Sequence, residues 1–450
     1  MSKHIKIKQG LNIKLKGEAE KVYASAPLPE VFAIKPPDFT GVTPKLMVKQ
    51  GDEVEAGSPL FYDKYNERMK FCAPVSGEVI EIVRGEKRKI LEIKILADKE
   101  ISYREFRKAD PQSLSRAEII DVLLESGVWP FIRQRPFHVI ANPNDLPKSI
   151  FISAFDTNPL AADNDFILHG QGEDFQTGLN AIVKLTDGKV HLNVSADLMP
   201  SSEFTNAKGV QINKISGPHP AGNVGVQIHH IDPVNKGEVV WYLYPQDILM
   251  IGRLFNQGRL DATRVVALAG SQVKAPKYYR TFIGSSLKNI LSGNLVGFKN
   301  RIISGNVYTG KQVLPDGFLG FYDTGITVIP EGDEPQFMGW LIPGTEKFSV
   351  SRTFTSWLRP GKEYVLNTNL NGEERPFVIT GEYEKVFPFD IYPMQLLKAI
   401  LVEDIDLMEK LGIYEVAEED FALCEFIDTS KIDSQKIIRK GLDTIRKEFS

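Results

Sequence analysis

The spacing of hydrophobic residues changes near residue 113, and this change constrains the fold more than any other feature of the chain. Before it, apolar residues recur at every second position in short runs such as Ile90-Leu-Glu-Ile-Lys-Ile95. After it, Ile119, Ile120, Leu123 and Leu124 have the spacing of a helix, and strand-like and helix-like runs alternate. Since 450 residues exceed what one hydrophobic core usually serves, the sequence predicts an α/β protein of several domains.

The residues before this change predict short strands. Ile5 and Ile7, then Leu11, Ile13 and Leu15, alternate on either side of Gln9-Gly10, which predicts a hairpin. Its other face carries the basic residues His4, Lys6, Lys8, Lys14 and Lys16. Exposure of these side chains to solvent is favoured over contact with an acidic partner or lipid headgroups. Residues 46–48, 59–61, 77–79 and 90–95, separated by glycines, predict a small all-β module.

The middle of the chain predicts an α/β sheet domain. Ser115 and Glu118 form a capping box for its first helix, and Gly127 is placed to end that helix. Strands are predicted at residues 149–154, 189–194, 238–243 and 263–267, with helices at 175–183 and 248–255.

The last third predicts short strands followed by helices. Strands and turns are expected at residues 276–283 and from Trp340 to Ile379, with a brief helix at 286–291. Pro393 suits a first helical turn, and Gly412 suits a helix end. Between them, one helical face is predicted to carry Met394, Leu397, Leu401, Ile405 and Met408.

Composition excludes several classes of protein. The 54 basic and 58 acidic residues leave a formal charge of -4, which indicates no nucleic-acid partner. The two cysteines, Cys72 and Cys424, are too few for a cysteine-ligated zinc or iron-sulfur site and fit a reducing compartment. No uncharged apolar stretch approaches the ~20 residues that span a bilayer, so any membrane contact is expected to be indirect or peripheral.

Candidate ligand residues are Asp156 and Asn158, which follow a predicted strand. The carboxyl end of an open sheet normally presents such groups to ligands, although an Asx-turn is favoured here. Their motif is Asp156-Thr-Asn-Pro-Leu-Ala-Ala-Asp163.

His219, His229 and His230 are candidates for a ligand site or proton relay because they lie close in sequence. A structural role is favoured, because neighbours in a strand point to opposite faces and could not share a metal. The glycines of the loop Ser216-Gly-Pro-His-Pro-Ala-Gly-Asn-Val-Gly225 match neither GxGxxG nor the lysine-bearing P-loop, the motifs that bind phosphate. A structural turn is therefore favoured. No catalytic, cofactor or metal residue is predicted.

The β module at residues 26–98 resembles the barrel-sandwich hybrid of lipoyl and biotinyl carriers. The motifs are Val48-Lys-Gln-Gly-Asp-Glu-Val-Glu-Ala-Gly-Ser-Pro-Leu60 and Ala73-Pro-Val-Ser-Gly-Glu-Val79. Carriers hold the modified lysine at a hairpin tip about seven residues before the Ala-Pro step. Lys70 is too near that step and Lys64 too far, so the carrier function is expected to be lost.

Nearly the whole chain resembles the A subunit of the sodium-translocating NADH:quinone reductases. The resemblance rests on Asp156-Thr-Asn-Pro-Leu-Ala-Ala-Asp163, Gly217-Pro-His-Pro-Ala-Gly222 and Phe389-Asp-Ile-Tyr-Pro393. The domain order is similar to that of two further proteins, the C subunit of the Rnf complex and the NADH-binding flavoprotein subunit of complex I. Gly270-Ser-Gln-Val-Lys-Ala-Pro-Lys-Tyr-Tyr-Arg-Thr-Phe-Ile-Gly284 looks like their ubiquitin-like, soluble-ligand-binding β-grasp domain.

Two departures from the flavoprotein relatives argue against cofactors in this chain. Their Gly-rich flavin loop is replaced by Glu125-Ser-Gly-Val-Trp-Pro-Phe-Ile-Arg133, in which one glycine cannot form a phosphate-cradling nest. Their helical domain holds cysteine clusters, whereas the matching stretch keeps only Cys424.

The resemblance implies four domains: a barrel-sandwich hybrid (1–100), a Rossmann-like α/β domain (101–260), a β-grasp and β-rich region (261–388) and a C-terminal helical domain (389–450). It implies a peripheral subunit on the cytoplasmic side of the bacterial inner membrane, in a complex that oxidises NADH, reduces ubiquinone or menaquinone and exports sodium. The chain is expected to be structural and to interact with quinone, held mainly by a membrane-embedded partner subunit. NADH, FAD, FMN, riboflavin and iron-sulfur centres are expected in partner subunits. The alternatives are a stand-alone NADH-oxidising flavoenzyme and a biotinyl or lipoyl carrier.

Overall fold

The computed structural model describes residues 3–333, 336–339, 341–342 and 344–448. The strands are β1 (His4–Lys6), β2 (Glu20–Ala24), β3 (Val31–Ile34), β4 (Pro44–Leu46), β5 (Glu53–Val54), β6 (Pro59–Asp63), β7 (Asn66–Cys72), β8 (Gly77–Arg84), β9 (Ile90–Ala97), β10 (Arg133–Arg135), β11 (Val139–Ile140), β12 (Ser149–Ser153), β13 (Lys189–Ser195), β14 (Gln211–Ser216), β15 (Val240–Leu243), β16 (Thr263–Ala269), β17 (Lys277–Phe282), β18 (Asn300–Ser304), β19 (Lys311–Gln312) and β20 (Gly325–Pro330).

Helices are concentrated in the middle and at the end of the chain. They are α1 (Arg116–Glu125), α2 (Asn164–Leu168), α3 (Gly172–Val183), α4 (Ser202–Thr205), α5 (Val224–Ile231), α6 (Pro245–Gln257), α7 (Lys288–Leu291), α8 (Pro393–Leu401), α9 (Ile405–Lys410), α10 (Ala422–Ile427) and α11 (Ser434–Glu448). Among the described residues, no helix is both long and apolar enough to cross a membrane.

The strands form an α/β sheet, a mixed sheet and two barrel sheets. The α/β sheet has the order β1-β14-β13-β12-β15-β10-β11, in which the first five strands run parallel and β10 and β11 complete the other edge antiparallel. The mixed sheet has the order β19-β18-β20-β16-β17-β2. The barrel sheets are β3-β9-β8-β5 and β4-β6-β7.

The α/β sheet is covered by helices on both faces, and every residue of β12 is therefore buried. On one face, α3 and α6 pack in close backbone contact. A side chain on Gly252 would lie 1.7 Å from the Asp174 carbonyl oxygen, so only glycine fits this position. The capping box of α1 is present, with the Ser115 side chain accepting from the Glu118 N–H as predicted.

The barrel sheets enclose an aromatic core in which Phe61 and Phe71 stack with ring centres 4.4 Å apart. This supports the predicted all-β module. The hairpin between β6 and β7 pairs Asp63 with Asn66, so Lys64 and Tyr65 form its two-residue turn. Lys64 therefore lies at the hairpin tip, which its distance from Ala73 in the sequence did not indicate.

The predicted N-terminal hairpin is wrong. Strand β1 pairs in parallel with β14, and residues 11–15 do not pair with it. Gly10 lies directly against the His219 carbonyl, and the Leu11 N–H donates to the same carbonyl at 2.8 Å. The alternation of Ile5 and Ile7 correctly indicates a strand, but the partner of that strand lies far away in the sequence.

The strand predicted at residues 263–267 forms, but in a different sheet. As β16 it pairs with β17 and β20 of the mixed sheet and not with the α/β strands. The strands predicted between Trp340 and Ile379 are also wrong for the described part of that range, which contains one isolated bridge, between Leu15 and Tyr364. Trp340 itself lies outside the described residues.

The C-terminal segment is helical, and Pro393 begins α8 as predicted. The prediction of one continuous helical face from Met394 to Met408 is wrong. Helix α8 ends at Leu401, whose side chain is exposed. The Asp404 side chain accepts from the Leu407 N–H at 3.0 Å and thereby begins a separate helix, α9. Gly412 adopts the left-handed conformation just after α9, as a helix end requires.

Candidate functional site

A cleft of about 360 Å³ lies at the carboxyl end of the α/β sheet. The strand order reverses at β12, because the chain continues from β12 to β13 and β14 on one side and returns to β15 on the other. Open α/β sheets bind ligands at such a switch point. The cleft is also walled by parts of the barrel, the mixed sheet and the C-terminal segment, through Asp38, Tyr322 and Glu419 respectively.

Asp156 and Asn158 both line this cleft, as their position after β12 predicted. Asp156 Oδ1 accepts from the Asn158 N–H at 2.8 Å and from the Asn158 side-chain amide at 2.7 Å, which forms the expected Asx-turn. The carboxylate is accessible inside the cleft, but the surrounding protein removes it from bulk water and so raises its pKa.

Arg133 enters the cleft from β10 and is surrounded by tyrosines. Its guanidinium carbon lies 4.8, 5.2 and 4.5 Å from the ring centres of Tyr242, Tyr244 and Tyr322. Its Nη1 lies 3.3 Å from His138 Nε2, and its Nε is buried without a hydrogen-bond partner. Among the described residues no carboxylate forms an ion pair with it, so its charge is offset mainly by aromatic faces.

A buried ion pair holds the backbone of two of these tyrosines, Tyr244 and Tyr322. Arg264 Nη2 donates to Asp247 Oδ1 at 2.8 Å, and its Nη1 donates to the Tyr322 carbonyl at 3.1 Å. Asp247 Oδ2 also accepts from the Tyr244 N–H at 3.1 Å. Burial raises the pKa of the Tyr244 hydroxyl well above its usual value, which keeps it a neutral hydrogen-bond donor beside the cleft.

Arg135 attaches the C-terminal segment to the sheet edge. This completely buried side chain donates to Glu419 Oε1 at 2.7 Å and to Asp420 Oδ2 at 3.0 Å. The neighbouring Glu418 lies 3.3 Å from His138 and 3.2 Å from Arg439. These contacts hold Glu418 and Glu419 in the lining of the cleft, which Asp156 also lines.

His219 lies outside the cleft lining, packed behind it. Its ring stacks on Tyr308 at 4.9 Å, and its Nδ1 lies 3.1 Å from the Thr157 hydroxyl. The same hydroxyl accepts from the Gly222 N–H at 2.9 Å. Burial lowers the pKa of His219 to about 3, so the imidazole is neutral and helps to hold the loop that carries Gly222.

His229 and His230 lie in helix α5, so the strand assumed for them is wrong. His229 Nε2 accepts from the Asp390 N–H at 3.2 Å, and its Nδ1 lies 2.7 Å from Glu415 Oε2. His230 Nδ1 contacts the Val226 carbonyl at 2.9 Å. The three histidines therefore have separate structural partners, and the described residues contain no His, Cys, Asp and Glu cluster suited to a metal.

Residues 125–133, where the resemblance to flavoprotein subunits would place a flavin loop, mostly pack away from the cleft. In this segment Trp129–Phe131 form a 3-10 turn, and a side chain on Gly127 would lie 2.7 Å from the Cys72 sulfur of the barrel. Only its last residue, Arg133, reaches the cleft. Cys72 and Cys424 are both buried and free.

Sequence reasoning missed Arg133, Tyr244, Tyr322 and Glu419. A signal was present for Tyr244, because a residue between a buried strand and a proline suited to a first helical turn lies at the carboxyl end of a parallel sheet. No local pattern marks the other three, which come from the sheet edge, the mixed sheet and the C-terminal segment.

Comparison with known proteins gives matches along most of the chain. Residues 5–98 match the family described as the NqrA N-terminal barrel-sandwich hybrid domain. Residues 114–260 match the NqrA second alpha/beta domain, and residues 265–314 match the NQRA C-terminal domain.

Curated relatives match over nearly their whole length. The A subunit of the Na(+)-translocating NADH-quinone reductase of Rhodopirellula baltica is 39% identical over 98% of both chains. Its counterpart in Neisseria meningitidis serogroup A is 40% identical over 99% of this chain and all of that one. An NAD+-reducing [NiFe]-hydrogenase structure in the H2-reduced state is 11% identical over 49% of this chain and 48% of its own, with a TM-score of 0.38.

Fold and cleft define a multidomain α/β protein that combines a barrel-sandwich hybrid with an α/β domain that has a cleft at its sheet switch point. The chain belongs to the NqrA family, the A subunits of the Na(+)-translocating NADH-quinone reductases. It is therefore one component of a multi-subunit, sodium-translocating oxidoreductase complex of respiration.

Proposed function

We propose that the chain is a peripheral subunit on the cytoplasmic side of this complex, where it is structural and binds the quinone in its cleft. The complex oxidises NADH, reduces ubiquinone or menaquinone and exports sodium. NADH, FAD, FMN, riboflavin and iron-sulfur centres belong to partner subunits. A membrane-embedded subunit holds the chain, so its own membrane contact is indirect. The observation that carries the proposal is the set of donors and aromatic walls around Arg133.

The cleft chemistry fits a quinone headgroup. This group is flat and neutral and has two carbonyl oxygens, so it needs hydrogen-bond donors between apolar walls. The Arg133 guanidinium and the Tyr244 hydroxyl are suitable donors, and the Phe321 and Tyr322 rings supply flat walls. Asp156 and Glu419 can accept the hydroxyl protons of the reduced form. The volume of about 360 Å³ lies within the usual range of ligand pockets, about 300–1,000 Å³.

The chain itself is proposed to bind and orient and not to oxidise NADH. Gly127 is packed against Cys72, so the segment that replaces the flavin loop does not present a phosphate cradle to the cleft. The resemblance further supports a division into domains at 1–100, 101–260, 261–388 and 389–450, with β1 returning to the α/β sheet. It also supports a β-grasp assignment for the mixed sheet.

The test is sodium-stimulated NADH oxidation by the complex with quinone as acceptor. Arg133→Ala is expected to raise the KM for quinone about 10- to 100-fold, because a hydrogen bond to a charged group is worth about 1.5–3 kcal/mol. The KM for NADH should not change. Arg280→Ala is the control, since this arginine also stacks on a tyrosine, Tyr23 at 4.6 Å, but lies outside the cleft lining.

Two results would contradict the proposal. An unchanged quinone KM in Arg133→Ala would remove the quinone from this cleft. NADH oxidation by the purified chain alone, with quinone as acceptor, would show that the chain is catalytic and favour the flavoenzyme alternative.

A further inference from the structure

Large exposed hydrophobic side chains are concentrated after β20, in a loop that we call the apolar loop. It comprises the described residues of the range 336–364. Phe337 is 87% exposed and Trp357 53%, and Leu341 and Leu358 are exposed beside them. Single exposed hydrophobic residues are common in soluble proteins, but several within one segment indicate an interaction surface.

Internal contacts join these side chains into one surface. The Leu341 N–H donates to the Met338 carbonyl at 2.9 Å, which closes a turn. Lys347 donates from Nζ to the Gly339 carbonyl of this turn at 2.5 Å, and its ammonium lies 5.2 Å from the ring centre of Phe354. Phe354 leads directly into the 3-10 turn Thr355–Leu358, which carries Trp357. Lys347 thus connects both apolar groups.

The apolar loop is fixed at its end but has little structure of its own. Tyr364 pairs with the N-terminal segment, since its N–H donates to the Lys14 carbonyl at 2.8 Å. Between β20 and Tyr364, the described residues include no strand and only one 3-10 turn. Long loops without secondary structure are usually functional. A fixed loop that keeps Trp357 and Phe337 in water is expected to be covered in the assembled complex.

Charge indicates what covers the loop. Residues 344–364 contain Lys347, Arg352, Arg359 and Lys362 against the acidic residues Glu346 and Glu363. Glu346 pairs with Lys362 at 2.5 Å. The Arg352 guanidinium lies 5.4 Å from the Trp357 ring centre, and no carboxylate among the described residues forms an ion pair with it or with Arg359. Glu346 offsets the charge of Arg359 in part. The loop keeps a net positive charge, which an acidic partner would offset.

The shape of the loop favours a protein segment over a lipid surface. Helices that lie on membranes present a long, continuous apolar face. Here the 3-10 turn has four residues, and the apolar groups lie on two separate turns joined through Lys347. Such an irregular surface suits a segment of complementary shape, with aromatic anchors at its centre.

We propose that the apolar loop is the docking surface for an acidic, apolar-sided segment of another subunit of the complex. This rests on membership of the complex and is independent of quinone binding in the cleft. Trp357 and Leu358 are the apolar anchors, and Arg352 and Arg359 set the charge of the partner.

The first test is assembly of the complex around an affinity-tagged full-length chain. The double variant Trp357→Ser/Leu358→Ser is expected to retain about tenfold less of the other subunits after detergent extraction, because truncated aromatic anchors weaken interfaces most. Phe298→Ser is the matched control, since Phe298 is 104% exposed and lies outside the loop. Both changes are on the surface, so circular dichroism should show unchanged folding. Equal recovery of subunits with both variants would overturn the proposal.

The second test identifies the partner. A photoreactive phenylalanine analogue at position 357 of the assembled complex should cross-link to a peptide of another subunit that is rich in Asp and Glu. Cross-linking only to lipid would overturn the proposal. It would also be overturned if the purified chain floated with phosphatidylcholine–phosphatidylglycerol vesicles and this flotation required Trp357. The double reversal Arg352→Glu/Arg359→Glu should also reduce recovery of the other subunits, and unchanged recovery would exclude an acidic partner.

Discussion

Arg135 is the charge partner of two carboxylates at the sheet edge. Its guanidinium contacts Glu419 and Asp420, and neither Arg135 nor Asp420 has measurable side-chain exposure. Breaking a buried ion pair leaves an uncompensated charge in the interior, which costs much more than losing a surface pair. The attachment of the C-terminal segment therefore depends strongly on this side chain.

Arg135→Ala is expected to lower the free energy of unfolding by about 3–5 kcal/mol, because the carboxylates of Glu419 and Asp420 would lose their cation. Urea denaturation of the full-length chain measures this. Arg68→Ala is the control, since Arg68 and Asp121 form a pair that is 58% and 64% exposed. Its loss should cost less than about 1 kcal/mol. Similar small costs for both variants would contradict the role of Arg135.

His219 is expected to make the chain less stable in acid. Burial lowers its pKa to about 3 from an ordinary 6.5. Between these values the unfolded chain binds a proton that the folded chain does not, so stability is full above the higher value and falls as pH decreases.

His219→Phe keeps a ring beside Tyr308 but removes this titration. Between about pH 6 and pH 4 the loss of stability should become shallower by up to about 1.4 kcal/mol per pH unit. Urea midpoints at several pH values measure the slope. A remaining slope is expected from His191, whose pKa burial lowers to about 4. An unchanged slope would show that His219 is not the buried neutral group described.

At the scale of elements, local patterns predicted what local forces determine. The capping box of Ser115 and Glu118 marked the start of α1, and buried apolar runs marked β12, β13 and β15. The predictions that failed concern which strands pair with each other. Period-two alternation shows that Ile5 and Ile7 face opposite sides from their neighbours, but it does not distinguish a hairpin from a parallel pair with β14.

The candidate site was predictable only in part for the same reason. Asp156 and Asn158 follow a recognisable strand, so their place at the carboxyl end of the sheet could be inferred. Arg133 and Glu419 reach the cleft only because tertiary packing brings β10 and the C-terminal segment to the same edge. The helical alternative for His229 was missed because short apolar runs do not distinguish strand from helix.

Packing of α3 against α6 leads to a prediction for one glycine. Gly252→Ala would place a methyl group 1.7 Å from the Asp174 carbonyl oxygen, so the helices must separate. The expected cost is at least about 3 kcal/mol, at the upper end of overpacking effects. Thermal or urea unfolding measures it. Gly361→Ala is the matched control, since nothing lies within 4 Å of its added methyl group. Equal stability of both variants would contradict the close helix contact.

At the scale of the whole molecule, the cleft joins parts of the chain that are far apart in sequence. Asp38 comes from the barrel region, Asp156 and Tyr244 from the α/β sheet, Tyr322 from the mixed-sheet region and Glu419 from the C-terminal segment. A ligand that contacts all of them binds only the assembled form and therefore stabilises it. Quinone binding in the cleft would thus stabilise the arrangement of these parts relative to one another.

The most direct measurement is titration of the purified full-length chain with ubiquinone-1 by isothermal calorimetry. We expect saturable binding at one site, weakened about 10- to 100-fold by Arg133→Ala through loss of a charged hydrogen-bond donor and unaffected by Arg280→Ala. Binding that does not saturate, or that is equally strong in the wild-type chain and Arg133→Ala, would contradict a quinone site in this cleft.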